Sequence, residues 1–150
     1  MSSTTAGFKS LRTDSETKGS NTNVLKERMA KEVKALRDFF NTGETKKLSF
    51  RKAQLRQIVK AMEENTDAIV TAIQKDLGGS KVRGVFDMDG HEEAQRCLDN
   101  LDKWAADEYV ADANAFGKSF IRKEPKGVVL LIAPWNFPIG LCFRPLANII

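Results

Sequence analysis

The sequence predicts an α/β fold, in which a helical N-terminal segment leads into the first strand, turn and helix of a doubly wound parallel sheet. Three observations predict it. Val128 to Ala133 is an unbroken apolar run. A strand wet on one face would alternate with period two, so this run reads as a strand buried on both faces, as at the centre of a parallel sheet. Pro134 cannot donate to a ladder and stops the run, while Pro138 suits the first turn of a following helix. Upstream of the run, apolar residues recur mainly at helical spacing.

Taken in order, residues 1–23 are rich in Ser, Thr, Gly and Asn. They offer too little apolar surface to offset ordering entropy, so a disordered tail is expected there. Asp14 and Glu16 argue against an organelle-targeting leader. Residues 24–150 form the folded part. Asn23 can cap a first helix, with Leu25, Met29, Val33, Leu36 and Phe40 at helical spacing and Gly43 ending it in the left-handed conformation. A second helix is expected after Ser49, with Leu55, Ile58, Val59 and Met62 as its stripe. Asn65 or Thr66 then restarts or continues the helix through Ala68, Ile69, Ala72, Ile73 and Leu77, and Gly78 and Gly79 close it. Val82 to Trp104 reads as one long helix, weakened by Gly84 and Gly90 at about 1 kcal/mol each against Ala. Asp112 to Gly117 reads as a loop and Ser119 to Arg122 as a strand. The apolar strand and its turn follow, then a helix from Pro138 toward Ile150.

No repeat is visible. One βα unit begins as the sequence ends, and a lone central strand would expose both apolar faces because its neighbours are not encoded in these residues. The 150 residues therefore read as the front part of a longer protein.

Composition narrows the function. Hydrophobic content of 41% and charged content of 29% suit a globular chain. The net charge is +4 and the pI about 9.1, but basic and acidic residues are interspersed, so no one-sided nucleic-acid patch is expected. No apolar run approaches the roughly 20 residues of a membrane span. The N-terminus lacks the apolar core of a secretory signal. The two cysteines, Cys97 and Cys142, form neither a disulfide framework nor a metal spacing. A reducing, cytoplasmic setting with free thiols is expected.

The turn after the apolar strand is the candidate site, because open α/β sheets bind ligands at the carboxyl ends of their strands. Asn136 carries an amide that can donate to an oxygen becoming negative in acyl chemistry, or it can simply cap the next helix. Trp135 can serve a ligand or pack. Cys142 and Cys97 read as small buried hydrophobes. His91, the sole histidine, reads as part of a solvated helix face with Glu92 and Glu93. No G-x-G-x-x-G follows the strand, so an ordinary phosphate-binding turn is not supported.

The stretch Gly127-Val-Val-Leu-Leu-Ile-Ala-Pro-Trp-Asn-Phe-Pro138 resembles the first signature of the aldehyde dehydrogenase superfamily. Phe40-Asn-Thr-Gly43, Leu48-Ser-Phe-Arg-Lys-Ala-Gln-Leu55, Lys75-Asp76-Leu77 and Lys103-Trp-Ala-Ala-Asp-Glu108 are similar to its class 3, fatty aldehyde dehydrogenase-like branch. Much of that branch carries Gly-Thr/Ala-Trp-Asn-Tyr-Pro where this chain has Ala-Pro-Trp-Asn-Phe-Pro. The resemblance covers about residues 24–150. It implies the N-terminal part of a cofactor-binding domain, with NAD or NADP as cofactor and an aldehyde, medium or long-chain or aromatic, as substrate. It implies Asn136 as the catalytic oxyanion donor, with Ile132, Ala133, Pro134 and Trp135 lining the cofactor site near the nicotinamide. It also implies a homodimer in the complete protein. The catalytic Cys and Glu of the family lie downstream of Ile150. The rival expectation is a truncated, non-catalytic chain that folds in part or associates with full-length subunits.

Overall fold

The computed structural model describes residues 13–110 and 117–150, with side chains from Thr22 onward. The chain divides into two units, residues 1–38 and 39–150. In the first unit lies most of helix α1, Thr13–Asn41. The i,i+4 pairs Arg28–Glu32 (2.9 Å) and Lys34–Asp38 (2.6 Å) run along it. Helical backbone thus begins upstream of Asn23, the expected start. Propagating a helix costs far less than nucleating one, so a polar stretch can extend an apolar-patterned helix. The first twelve residues of the expected tail lie outside the described residues.

In the second unit α1 ends where the sequence expects, with Gly43 at φ +79°. A single 3-10 turn, Glu44–Lys46, leads into α2, Leu48–Glu64. This helix starts one residue before Ser49, and Lys47 takes the cap position without a side-chain bond. The helix α3, Thr66–Leu77, does restart at Thr66. Asn65 and Thr66 do not cap it: the Asn65 amide donates to Ala61 O (2.7 Å) and the Thr66 hydroxyl to Met62 O (2.8 Å). Gly78, at φ +68°, closes it.

The expected long helix is two: α4, Lys81–Phe86, and α5, Gly90–Ala105. The corner between them places Asp87 inside the protein, 2% exposed. Both glycines mark close approaches. A Cβ on Gly84 would stand 2.9 Å from Val70 Cγ1, and one on Gly90 2.6 Å from Phe143 Cβ. Gly90, Ala94, Cys97 and Leu101 form the buried stripe of α5. That stripe packs against α2 on one side and against α6, Gly140–Ile149, on the other. Leu55, Ile58, Met62, Val70, Met88 and Ala147 complete the core.

Strands β1, Glu108–Val110, and β2, Ser119–Ile121, form an antiparallel pair with Tyr109 opposite Phe120. Arg122 grips Asp107 at the base through two bonds, 3.0 and 2.7 Å. β2 matches the strand expected over Ser119 to Arg122. All of the expected loop except Gly117 lies outside the described residues.

The doubly wound parallel sheet is not present among the described residues, and Val128 to Ala133 forms no ladder. The cause is the one the pattern foretells. A strand buried on both faces needs partners on both edges, and the only strands described, β1 and β2, pair with each other. Val128, Val129, Leu130 and Ile132 are accordingly exposed.

Candidate active site

The five predicted site residues follow one another on the stretch that enters α6. Ile132 and Trp135 are 82% and 88% exposed, Pro134 and Asn136 are exposed, and Ala133 is half-buried. Residues 135–139 form turns and a bend, and α6 begins two residues after Pro138. Its opening bond is Phe143 N–H to Ile139 O, 2.8 Å.

Asn136 does not cap this helix. No local side chain does. The first free N–H groups of α6 point instead at Asp87, whose Oδ2 accepts from Ile139 N–H (3.1 Å) and Oδ1 from Gly140 N–H (2.8 Å). A carboxylate here also meets the positive end of the helix dipole. The contact is so close that a Cβ on Gly140 would stand 2.8 Å from Asp89 Oδ1 and 3.0 Å from Asp87 Oδ1. Asp89 pairs with Arg144 of the first turns of α6. At the other end of the turn, Arg83 Nη2 donates to the Asn136 carbonyl (3.3 Å) and its guanidinium lies 5.8 Å from the Phe137 ring centroid. The Asn136 carbonyl is thus held, while its side-chain amide is exposed and makes no hydrogen bond among the described residues.

Sequence reasoning missed Asp87 and Arg83. The available signal was an acidic pair, Asp87 and Asp89, bracketed by two glycines inside an apparent helix. It also misplaced His91, which is half-buried rather than on a solvated face; its Nδ1–H donates to Met88 O at 2.7 Å. Cys97 is buried, its Sγ donating weakly toward Asn148 Oδ1 at 3.9 Å, and burial with the nearby Glu93 charge pushes its thiol above the ordinary value. That is the opposite of nucleophile activation. Cys142 is half-buried in α6. A cleft of about 440 Å³ lies beside Cys97, Leu101 and Trp104, but none of the five predicted site residues lines it.

A family model described as the aldehyde dehydrogenase family matches residues 11–150. The chain belongs to the aldehyde dehydrogenase family. It is 40% identical over 124 residues to aldehyde dehydrogenase family 3 member B2 of Mus musculus, covering 77% of this chain and 25% of that protein. It is 38% identical over 122 residues to family 3 member B1 of Homo sapiens, covering 77% and 26%. Against the dimeric NADP-preferring aldehyde dehydrogenase of Rattus norvegicus it is 35% identical over 120 residues, covering 77% and 26%. The class 3 resemblance read from the sequence therefore agrees with relatives named family 3. The chain spans about a quarter of the length of these relatives. Among the described residues no helix is long and apolar enough to cross a membrane.

Proposed function

We propose that this chain is the N-terminal portion of a NAD(P)-dependent aldehyde dehydrogenase that oxidises aldehydes to carboxylic acids, with Asn136 as the oxyanion donor. The observation that carries the reading is the Pro134-Trp135-Asn136-Phe137-Pro138 turn of a family member: its backbone is pinned while the Asn136 amide is exposed and does not cap α6. An amide N–H placed there donates to the aldehyde oxygen as a thiolate attacks the carbon and the oxygen takes up charge. Ile132 and Trp135 present apolar surface suited to one face of a nicotinamide ring, with Ala133 and Pro134 between them. When bound, NAD or NADP accepts the hydride that leaves the former aldehyde carbon.

On the family reading, the nucleophile and the base that activates water are assigned to residues outside these 150; Cys97 is a poor alternative, being buried with its thiol pushed above the ordinary value. With that assignment, the second reading for the 150-residue chain alone is a non-catalytic product that folds in part or joins full-length subunits. A homodimer in the complete protein follows from the family reading, and the rat relative's name includes the word dimeric; a cytoplasmic setting rests on the two unpaired cysteines alone. Steady NADH formation by the isolated chain with NAD and an aldehyde would refute the second reading. For the first, Asn136→Ala in the complete enzyme should lower kcat about a hundredfold, roughly 3 kcal/mol, with the cofactor KM little changed. Unchanged turnover removes Asn136 from the mechanism.

A further inference from the structure

We infer, on the reading of Asn136 as oxyanion donor, that Asp87 and Arg83 at the α4–α5 corner are positioning residues for the Asn136 amide. An oxyanion donor works only if it is already aimed, because reorganising it at the moment of reaction costs the rate it would provide. Asn136 is exposed and nothing among the described residues holds its side chain, so its aim is set by its backbone. That backbone belongs to a turn without strand pairing on its N-terminal side. Beyond the turn's own backbone bonds, such as Leu141 N–H to Phe137 O (3.2 Å), its long-range side-chain restraints among the described residues come from one corner. Arg83 donates to the carbonyl of Asn136 itself, and Asp87 accepts the N–H groups of Ile139 and Gly140, at the point where the turn becomes helix.

Asp87 is well suited to the task. It is 2% exposed, and its own backbone N–H is tied to Arg83 O and Gly84 O at the end of α4. Both of its oxygens are used, so the two N–H groups are fixed in direction as well as distance. Gly140 lets the α6 terminus sit directly on this carboxylate, where any Cβ would push it away. The corner and the turn are far apart in sequence but are joined by these three hydrogen bonds. Neither Asp87 nor Arg83 is assigned contact with substrate; both act through Asn136.

The test is a double-mutant comparison in the complete enzyme, with NAD or NADP and hexanal as probes, reading kcat and both KM values. Asp87→Ala should lower kcat roughly tenfold to a hundredfold, the scale of a small misplacement of a reacting group, while the cofactor KM stays within about twofold. In an Asn136→Ala background the same change should lower kcat less than about twofold, because the group it positions is gone. Asp87→Asn, which keeps one acceptor oxygen, should fall between. An Asn136→Ala enzyme with full turnover overturns the oxyanion reading and this assignment with it. A slow Asn136→Ala enzyme beside an unimpaired Asp87→Ala enzyme overturns this assignment alone. So does an Asp87→Ala loss that is equal in both backgrounds. If Asp87→Ala fails to fold, Asp87→Asn and the exposed-site variant Arg83→Ala are judged by the same comparison.

Discussion

Asp87 and Gly140 lie 53 residues apart, yet Asp87 Oδ1 accepts the Gly140 N–H at 2.8 Å. The helix that follows the Pro134–Pro138 turn is therefore capped from another part of the fold. Gly140→Ala sets two effects against each other. Alanine gains up to about 1 kcal/mol of helix propensity. Its Cβ, however, would meet Asp89 Oδ1, Asp87 Oδ1 and the Asp87 backbone carbonyl at 2.8, 3.0 and 3.2 Å. One of the three is backbone and cannot swing aside, so overpacking wins at roughly 1–3 kcal/mol. Urea unfolding should show a net loss of about 1–2 kcal/mol; a stabilised variant would mean the corner yields.

Gly90→Ala is the sharper case. The new Cβ would stand 2.6 Å from Phe143 Cβ, an atom fixed to the backbone of α6. Relief requires α5 and α6 to separate, at a cost of about 2 kcal/mol or more. Phe143→Ala keeps the offending Cβ and so should not rescue it. Recovery of stability in the double variant, measured by thermal or urea unfolding, would show that the ring and not the backbone sets the spacing.

The helices were legible because each needs only its own residues. The stripe Leu55, Ile58, Met62 of α2 and the left-handed Gly43 are local signals read directly, whereas the break between α4 and α5 was not, because Gly84 and Gly90 read only as weak points in one helix. The apolar run Val128 to Ala133 was legible as a pattern, but its ladder depends on strands that the described residues do not supply. Asn136 could be picked out from the Pro-Trp-Asn-Phe-Pro turn. Asp87 left only a faint local mark, the acidic pair between Gly84 and Gly90, because its role consists wholly of bonds to N–H groups 52 and 53 positions away. No local periodicity records such a pairing.

Trp135 gives an optical handle on the turn. It is 88% exposed, whereas Trp104 is less exposed and has the Arg96 guanidinium 5.1 Å from its ring centroid. In the 150-residue chain, acrylamide quenching should be dominated by Trp135. Trp135→Phe should remove most of the readily quenched emission and Trp104→Phe should leave it. A larger loss of quenching in Trp104→Phe would place the turn against other surface.

Glu93 ties α5 to α6 and should register in acid. Its carboxylate accepts bonds from Arg96 (2.9 Å from Nε) and from Asn148 Nδ2 (2.6 Å). The Arg96 bond chiefly, then the Asn148 bond, hold the carboxyl below its ordinary value of 4.5 against the opposing effect of burial. In the unfolded chain these partners are lost and the ordinary value returns. Above about pH 4.5 both states are ionised and the folded state keeps the full benefit. As the pH falls below that value, the unfolded chain takes up a proton before the folded one does, and the benefit is lost until the folded carboxyl also titrates. Glu93→Gln should therefore be less stable than wild type at pH 7, and the gap should narrow below about pH 4.5. Urea midpoints for the two proteins that stay parallel across this range would show that Glu93 contributes no linkage. Asn148→Ala, which removes one of the two partners, should move the Glu93 titration in a carboxyl NMR experiment upward, toward the ordinary value.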